Sequence, residues 1–251
     1  MLAAPTAKAV DDVTVTVDGE ELDGLAFVRE DVTYIQLTAL LEAVGGWEAV
    51  WDEQANAAMA QTSLFTLTVP FQCTHVLADT FPYDTGKSAL LVDGRTYVPL
   101  RSVANLLGAK VEFIDWDTPV KVLTGRQREY TEEDLYWLSR IISAESKGEN
   151  LRGQIAVGNV ILNRVDSEEF PDTVKGVIFD RKDGVQFEPV SNLTVYDEPS
   201  EQSVLAARLA LAGADVAEGC LYFFNPDLSQ GLWVRQNRAF DSAIGCHLFF
   251  K

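Results

Sequence analysis

The sequence predicts an α+β protein: a two-copy α+β domain, then a mainly helical domain that carries a small β-hairpin. Three observations carry that prediction. Residues 34–52 (YIQLTALLEAVGGWEAVWD) and 97–117 (YVPLRSVANLLGAKVEFIDWD) repeat one pattern of extended start, short amphipathic helix, Gly turn and a strand ending in Trp-Asp. Residues 135–164 (LYWLSRIISAESKGENLRGQIAVGNVILNR) hold apolar positions at helical spacing on both sides of a Gly-containing break. Two short aromatic runs, 221–224 and 248–250, read as strands near the C-terminus. A chain of 251 residues suffices for two modest cores. The expected boundaries are 13–123 for the first domain, 124–130 for a polar linker and 131–251 for the second domain.

At the start, Ala7-Lys8-Ala9 has the small-residue spacing of a signal-peptide cleavage site, without the charged and long apolar regions that precede one. Two readings stand, a trimmed secretion signal and an Ala-rich start, and the first is the expectation. Asp18-Gly19 and Asp93-Gly94 are hairpin cues ahead of the two repeat copies. In the second copy Leu100, Val103, Ala104 and Leu107 mark a helix face, and Gly108 stops the helix. His75 and Cys73 are two residues, too few for a coordination sphere. His247 likewise has no metal partner by spacing, so no metal or cofactor is expected in either half, and the first half reads as a non-catalytic adaptor.

In the second half, Thr131 with Asp134 three residues on approximates a capping box. Leu138, Ile141, Ile142 and Glu145 share one face of the helix that follows. A carboxylate there ends an apolar stripe, and burial disfavours its charged form, so it would hold a proton near neutral pH. A protonated carboxylic acid is what cleavage of a glycosidic bond requires. The competing reading is a half-exposed Glu at a helix end. Gly148 supplies a permissive turn before a second helix over 151–165, with Ile155, Val160, Ile161 and Leu162 inward. Arg164 either holds a carboxylate or complements the helix dipole, and the second is favoured. A short helix after Asp172, a loop over 180–197 holding Gln186 and Phe187, and a helix from Ser200 to about Ala212 come next. Trp233, Arg235 and Arg238 fall in the connection between the two strands. Gln186 and Phe187 offer an amide and a ring, which suit a sugar, and Tyr222, Asn225 and His247 are further candidates to line a cleft.

Six motifs occur in order: AESKGE from Ala144, GQIAVGNVILNRV from Gly153, FP at Phe170, QFEPV from Gln186, LYFFNP from Leu221 and IGCHLFFK from Ile244. This half resembles the SleB-like cell wall hydrolases, the spore cortex-lytic family of spore-forming bacteria. The resemblance implies a lysozyme-like fold, Glu145 as the catalytic acid, peptidoglycan as partner and a secreted, wall- or cortex-associated location. It also marks three departures: Glu188 stands where the family has a small residue, and Cys220 and Cys246 replace non-cysteine residues. The pattern VDGRTYVPLRSVANLLGAKVEF in the first half is similar to the copper amine oxidase N-terminal-like, or stalk, domain.

Composition narrows the function class. The net charge of −18 argues against nucleic acid and against anionic membrane surfaces. Residues 1–125 hold 7 Lys+Arg against 18 Asp+Glu, and the rest hold 13 against 20, so the acidity is general. No apolar run approaches the length of a membrane span. The three cysteines allow one bridge, and Cys220 with Cys246, in candidate neighbouring strands, is the expected pair; two buried thiols are the alternative. Two carboxylates are the usual glycosidase equipment, and Glu149, four residues after Glu145, is the candidate second one or a substrate contact. If Glu149 cannot reach the sugar, a single-acid lytic transglycosylase remains, with Glu145 protonating the glycosidic oxygen and the muramic 6-hydroxyl closing on the anomeric carbon. A two-carboxylate muramidase and a non-catalytic wall-binding protein are the competing readings. An amidase or peptidase is disfavoured, because the two histidines, His75 and His247, fall in different domains.

Overall fold

The structure is a computed structural model that describes residues 11–22, 24–115, 118–124, 129–182 and 184–251. The expected Ala7-Lys8-Ala9 site, most of the linker and the second copy's Trp116-Asp117 lie outside those residues. By contacts the chain divides into two compact units. Thr80–Asp84, inside the span expected for the first domain, groups with the second unit.

The first unit is β-rich. Its strands are β1 (Asp11–Asp12), β2 (Val15–Val17), β3 (Glu20–Leu22), β4 (Ala26–Arg29) and β5 (Val32–Gln36), followed by helix α1 (Leu37–Gly45). Strands β6 (Ala49–Asp52), β7 (Ala57–Gln61), β8 (Thr66–Pro70) and β9 (His75–Ala78) form an antiparallel run. After β10 (Phe81–Asp84) come β11 (Leu90–Val92), β12 (Arg95–Pro99), α2 (Leu100–Leu106), β13 (Lys110–Glu112) and β14 (Val120–Leu123). The two repeat copies pair with each other. In the antiparallel β5–β12 ladder Ile35 faces Val98, its equivalent, with Gln36 opposite Tyr97 and Tyr34 opposite Pro99. The repeat therefore folds about a local two-fold axis. Tyr34 and Tyr97 both enter a buried cluster with Phe27.

One hairpin cue is corrected. Asp93-Gly94 does turn β11 into β12, but the equivalent turn of the first copy is Glu30-Asp31, between β4 and β5. Both residues hold positive φ, at 51° and 60°, so the turn is the primed type without a glycine to signal it. Asp18-Gly19 makes a separate hairpin, β2–β3. The face of α2 also differs slightly: Leu106 is buried and Leu107, past the helix end, is only partly so.

The second unit is mainly helical. Helix α3 (Glu132–Ser146) opens on the complete Thr131–Asp134 capping box, and Leu138, Ile141 and Ile142 are fully buried. Helix α4 (Leu151–Val165) opens on Asn150, whose side chain accepts from Gly153 N at 2.9 Å. A Cβ at Gly158 would stand 2.9 Å from Ile142 Cδ1, so the missing side chain lets α3 and α4 approach closely. Next come α5 (Val174–Ile178), α6 (Glu188–Ser191), a 3-10 turn (Thr194–Tyr196) and α7 (Glu201–Leu211), capped by Ser200 and packed against both α3 and α4.

Polar residues of α4 explain the GQIAVGNVILNR motif. Asn159 holds Ala214 O and Val216 N, Asn163 donates to Ala217 O and Cys220 O, and Arg164 Nε donates to Leu221 O at 2.7 Å. Together they pin the irregular segment after α7, which satisfies its buried backbone groups and delivers the chain into β15 (Tyr222–Phe224). The second strand of the expected hairpin is β17 (His247–Phe250), and it lies between β15 and an additional strand, β16 (Phe240–Ile244). Helix α8 (Leu232–Asn237) lies in the connection between the two expected strands. Its residues bury nothing, so they leave no apolar periodicity to read.

The expected Cys220–Cys246 bridge is overturned. All three cysteines are free, Cys220 buried and Cys246 exposed. The register that sets Tyr222 against Phe250 puts the two at opposite ends of β17, about six residues and ~20 Å apart at the rise of a strand. A disulfide needs Cα atoms within about 7 Å. Burial pushes the Cys220 thiol up to about 12.

Candidate active site

The end of α3, the turn before α4, the segment around α6 and the three-stranded sheet converge on a cavity of about 550 Å³. Glu145 lines it. The last turn of α3 carries the carboxylate off the end of the Leu138–Ile141–Ile142 stripe into a half-buried position. Burial, and then the negative charge of Glu188, raise its pKa from 4.5 to about 7. Glu145 is therefore an acid that remains substantially protonated near neutrality.

Glu149, Gln186, Phe187, Asn225 and His247 line the same cavity. Tyr222 does not; it lines a neighbouring cavity and takes a 2.7 Å hydrogen bond from Arg238. Phe187 and His247 are buried, and Phe223 bridges them with ring centroids 6.4 and 5.5 Å away. Asn225 Oδ1 accepts from Asp227 N at 2.9 Å, so that side chain also shapes the turn after β15.

Glu149 is tied to the β16–β17 turn. Its carboxylate accepts from Cys246 N at 3.2 Å and lies 3.4 Å from His247 Nδ1. Burial lowers the pKa of His247, and the Glu149 charge offsets only part of that. Gly245 makes the approach possible: its φ is +59°, and a Cβ there would overlap Glu149 Oε2. Gly245→Ala thus combines a strained backbone with a displaced buried carboxylate. A stability loss of about 2–4 kcal/mol is expected in urea unfolding. A loss below about 0.5 kcal/mol would show that the turn is not anchored this way.

One expectation about a neighbouring residue is corrected. Gly148 does not adopt positive φ, and a Cβ there would meet nothing within 4 Å, so its backbone needs no glycine. Arg164 stands in the last turn of α4, the place from which a cation complements the helix dipole. It is 5 % exposed, donates to Leu221 O, and lies over the rings of Phe170, Phe187 and Tyr222 at 4.7–5.3 Å. Desolvation lowers its pKa to about 10, which leaves it charged at neutral pH. It therefore supplies a fixed positive charge to the lining of the cavity that also holds Glu145, Glu149 and Glu188. Glu188 was noted in the sequence as a departure, not as a neighbour of the acid. Its place directly after Gln186-Phe187 was the available signal. Among the described residues no group of three or more His, Cys, Asp or Glu side chains could hold a metal ion, and no helix is long and apolar enough to cross a membrane.

The comparisons with known proteins agree with the two resemblances read from the sequence. A family model described as Cell Wall Hydrolase matches residues 148–250, and one described as Copper amine oxidase N-terminal domain matches 16–121. A spore cortex-lytic enzyme of Bacillus cereus is 38% identical over 122 residues, covering 49% of this chain and 46% of the relative. That of Bacillus subtilis is 36% identical over 120 residues, covering 48% and 38%. The chain thus spans about half the length, or less, of the curated relatives it matches. Among solved structures, the catalytic domain of the germination-specific lytic transglycosylase SleB from Bacillus anthracis is 38% identical, with 49% of this chain and 98% of that one covered and a TM-score of 0.45. The catalytic domain of the Bacillus cereus SleB protein is 37% identical, with 51% and 100% covered and a TM-score of 0.44. By these matches residues 148–250 fall in the cell wall hydrolase family and are similar to the spore cortex-lytic enzymes, and residues 16–121 ahead of them match the copper amine oxidase N-terminal domain.

Proposed function

We propose that the protein cleaves peptidoglycan glycan strands between N-acetylmuramic acid and N-acetylglucosamine, as a lytic transglycosylase with Glu145 as its single catalytic residue. The observation that supports this reading is a carboxylic acid held near pKa 7 in an open groove. Glu145 gives its proton to the glycosidic oxygen as the bond from the muramic anomeric carbon breaks. The muramic 6-hydroxyl oxygen then bonds to that carbon, and the Glu145 carboxylate takes the hydroxyl proton. One product carries a 1,6-anhydro end, the other a free hydroxyl, and no water is consumed. Glu149 is occupied by the β16–β17 turn, which supports a positioning part for it and not that of a second reacting carboxylate.

A second reading has one specific observation in its favour: Glu188 shares the cavity with Glu145 and bears on its proton. With Glu188 activating water, the same bond would be hydrolysed and reducing muramic ends released. Mass spectrometry of muropeptides released from purified peptidoglycan separates the two: 1,6-anhydromuramic ends are expected, and reducing ends alone would sink the transglycosylase reading.

The site-lining side chains come from residues 145–247, which supports placing the chemistry in the second half. The first domain is proposed to hold the enzyme on the wall or to a wall protein, and the enzyme to act outside the cell on wall or spore cortex. Residues 126–251 alone should still cleave soluble glycan while binding sacculi more weakly than the full chain. Equal retention of the fragment and the full chain would remove that role.

A further inference from the structure

A second cavity, of about 760 Å³, adjoins the acid-bearing one and shares Arg164, Gln186 and Phe223 with its lining. None of the steps above uses it. Trp233 lines it from α8, a helix with no buried residue. The indole is 57 % exposed, so core packing does not account for it. Tyr222 faces it with ring centroids 5.9 Å apart and planes tilted by 56°. The guanidinium of Arg238 lies 4.5 Å from the Tyr222 ring centre and 5.6 Å from that of Trp233. Its Nη2 donates to Tyr222 Oη at 2.7 Å and reaches Glu169 Oε2 at 3.4 Å, while its Nε is buried without a hydrogen-bond partner.

We propose that this second cavity is a further saccharide subsite, in which Trp233 and Tyr222 carry the apolar face of a sugar ring and Arg238 and Glu169 meet its hydroxyl or acetamido groups. The proposal rests on the reading that the groove takes glycan, and it adds where the strand runs beyond the acid. A pyranose presents C–H groups on its faces and polar groups around its rim, so it needs a ring platform edged by both donors and acceptors. The cavity supplies both. The lining mixes cations, Arg164, Lys182 and Arg238, with the carboxylates Glu169 and Asp180, so it offers donors and acceptors together, as a hydroxyl-rich ligand requires. Because the two cavities share Arg164, Gln186 and Phe223 in their lining, a strand laid along both would meet both sets of contacts, and fragments too short to span them lose the second set.

The test uses the full chain carrying Glu145→Gln as a non-cleaving background, titrated with soluble peptide-free glycan strands of graded length. Adding Trp233→Ala should weaken binding of strands that span both cavities by roughly three- to tenfold, the range for one aromatic contact. Binding of the shortest fragments should stay unchanged, and Trp233→Phe should recover part of the loss. In the active chain the same substitution should raise KM on long strands more than it lowers kcat. An equal loss at every length, or no loss on long strands, overturns the subsite. Should Ala disturb α8, seen as a changed melting curve, Trp233→Phe and Arg238→Gln carry the same length comparison. If Glu145→Gln still cleaves, the acid assignment fails, while the length dependence of KM in the Trp233 variants still tests the subsite.

Discussion

Glu145→Gln should lose peptidoglycan cleavage by about 10²–10⁴ in rate, the usual worth of general acid assistance, with the fold and glycan binding retained. The upper end is expected, because the departing sugar oxygen would otherwise leave as an alkoxide. Gln keeps the size and polarity of Glu but has no transferable proton, and the cavity holds no obvious substitute. Glu149 is committed to Cys246 N and His247. His247 has its pKa lowered by burial, so it is mainly neutral at neutral pH. The rate of the wild type should fall as pH rises through about 7, where Glu145 loses its proton. Glu188→Gln removes the secondary cause of the raised pKa and leaves the first, burial, in place. Its alkaline limb should therefore move to lower pH while cleavage persists. Loss of nearly all cleavage in Glu188→Gln would instead make it the second carboxylate of a hydrolase. Wild-type rates in Glu145→Gln would end the acid assignment.

What was legible in the sequence was what leaves a local pattern. The capping box at Thr131, the stripe to Glu145, the inward face of α4 and the Ser200 cap are set by near neighbours in sequence, and all are present as expected. The cavity was legible only in part. Five of the six proposed substrate contacts line it with Glu145, yet nothing in the spacing said that Glu149 would be claimed by the β16–β17 turn. That contact joins residues 97 positions apart and depends on Gly245, whose meaning appears only when the carboxylate beside it is seen. Arg164 was legible only in part for a similar reason. It stands in the last turn of α4, where a cation complements the dipole, but its hydrogen bond to Leu221 O comes from residues 57 positions away. The cysteine error was one of register. Two neighbouring strands were expected, and which ends lay together could not be told until Tyr222 was set against Phe250.

Glu145→Gln should also make the protein more stable at alkaline pH, and the sign follows from the direction of the pKa shift. The unfolded chain has this carboxyl near its ordinary value of 4.5, and folding raises it to about 7. A group bound more tightly to its proton in the folded state stabilises that state only while protonated. Below about pH 4.5 both states carry the proton and the site costs nothing relative to its neutral form. Between about 4.5 and 7 the unfolded chain ionises freely while the folded one does not, so the folded state loses ground. Above about 7 the loss is complete, on the order of 2–3 kcal/mol once partial solvent access is allowed for. Gln never ionises and escapes this penalty. The stability difference between Glu145→Gln and wild type, taken from urea unfolding of the full chain followed by a second-half probe, should therefore grow by that amount from about pH 4.5 to about pH 8. Other titrating groups are common to both proteins and largely cancel in the difference. A difference that stays flat across the window would mean that the acid is not desolvated in the folded state, and would remove the physical reason for placing the proton there. A rise of the expected size would show the wild type giving up stability to keep an acid in its groove.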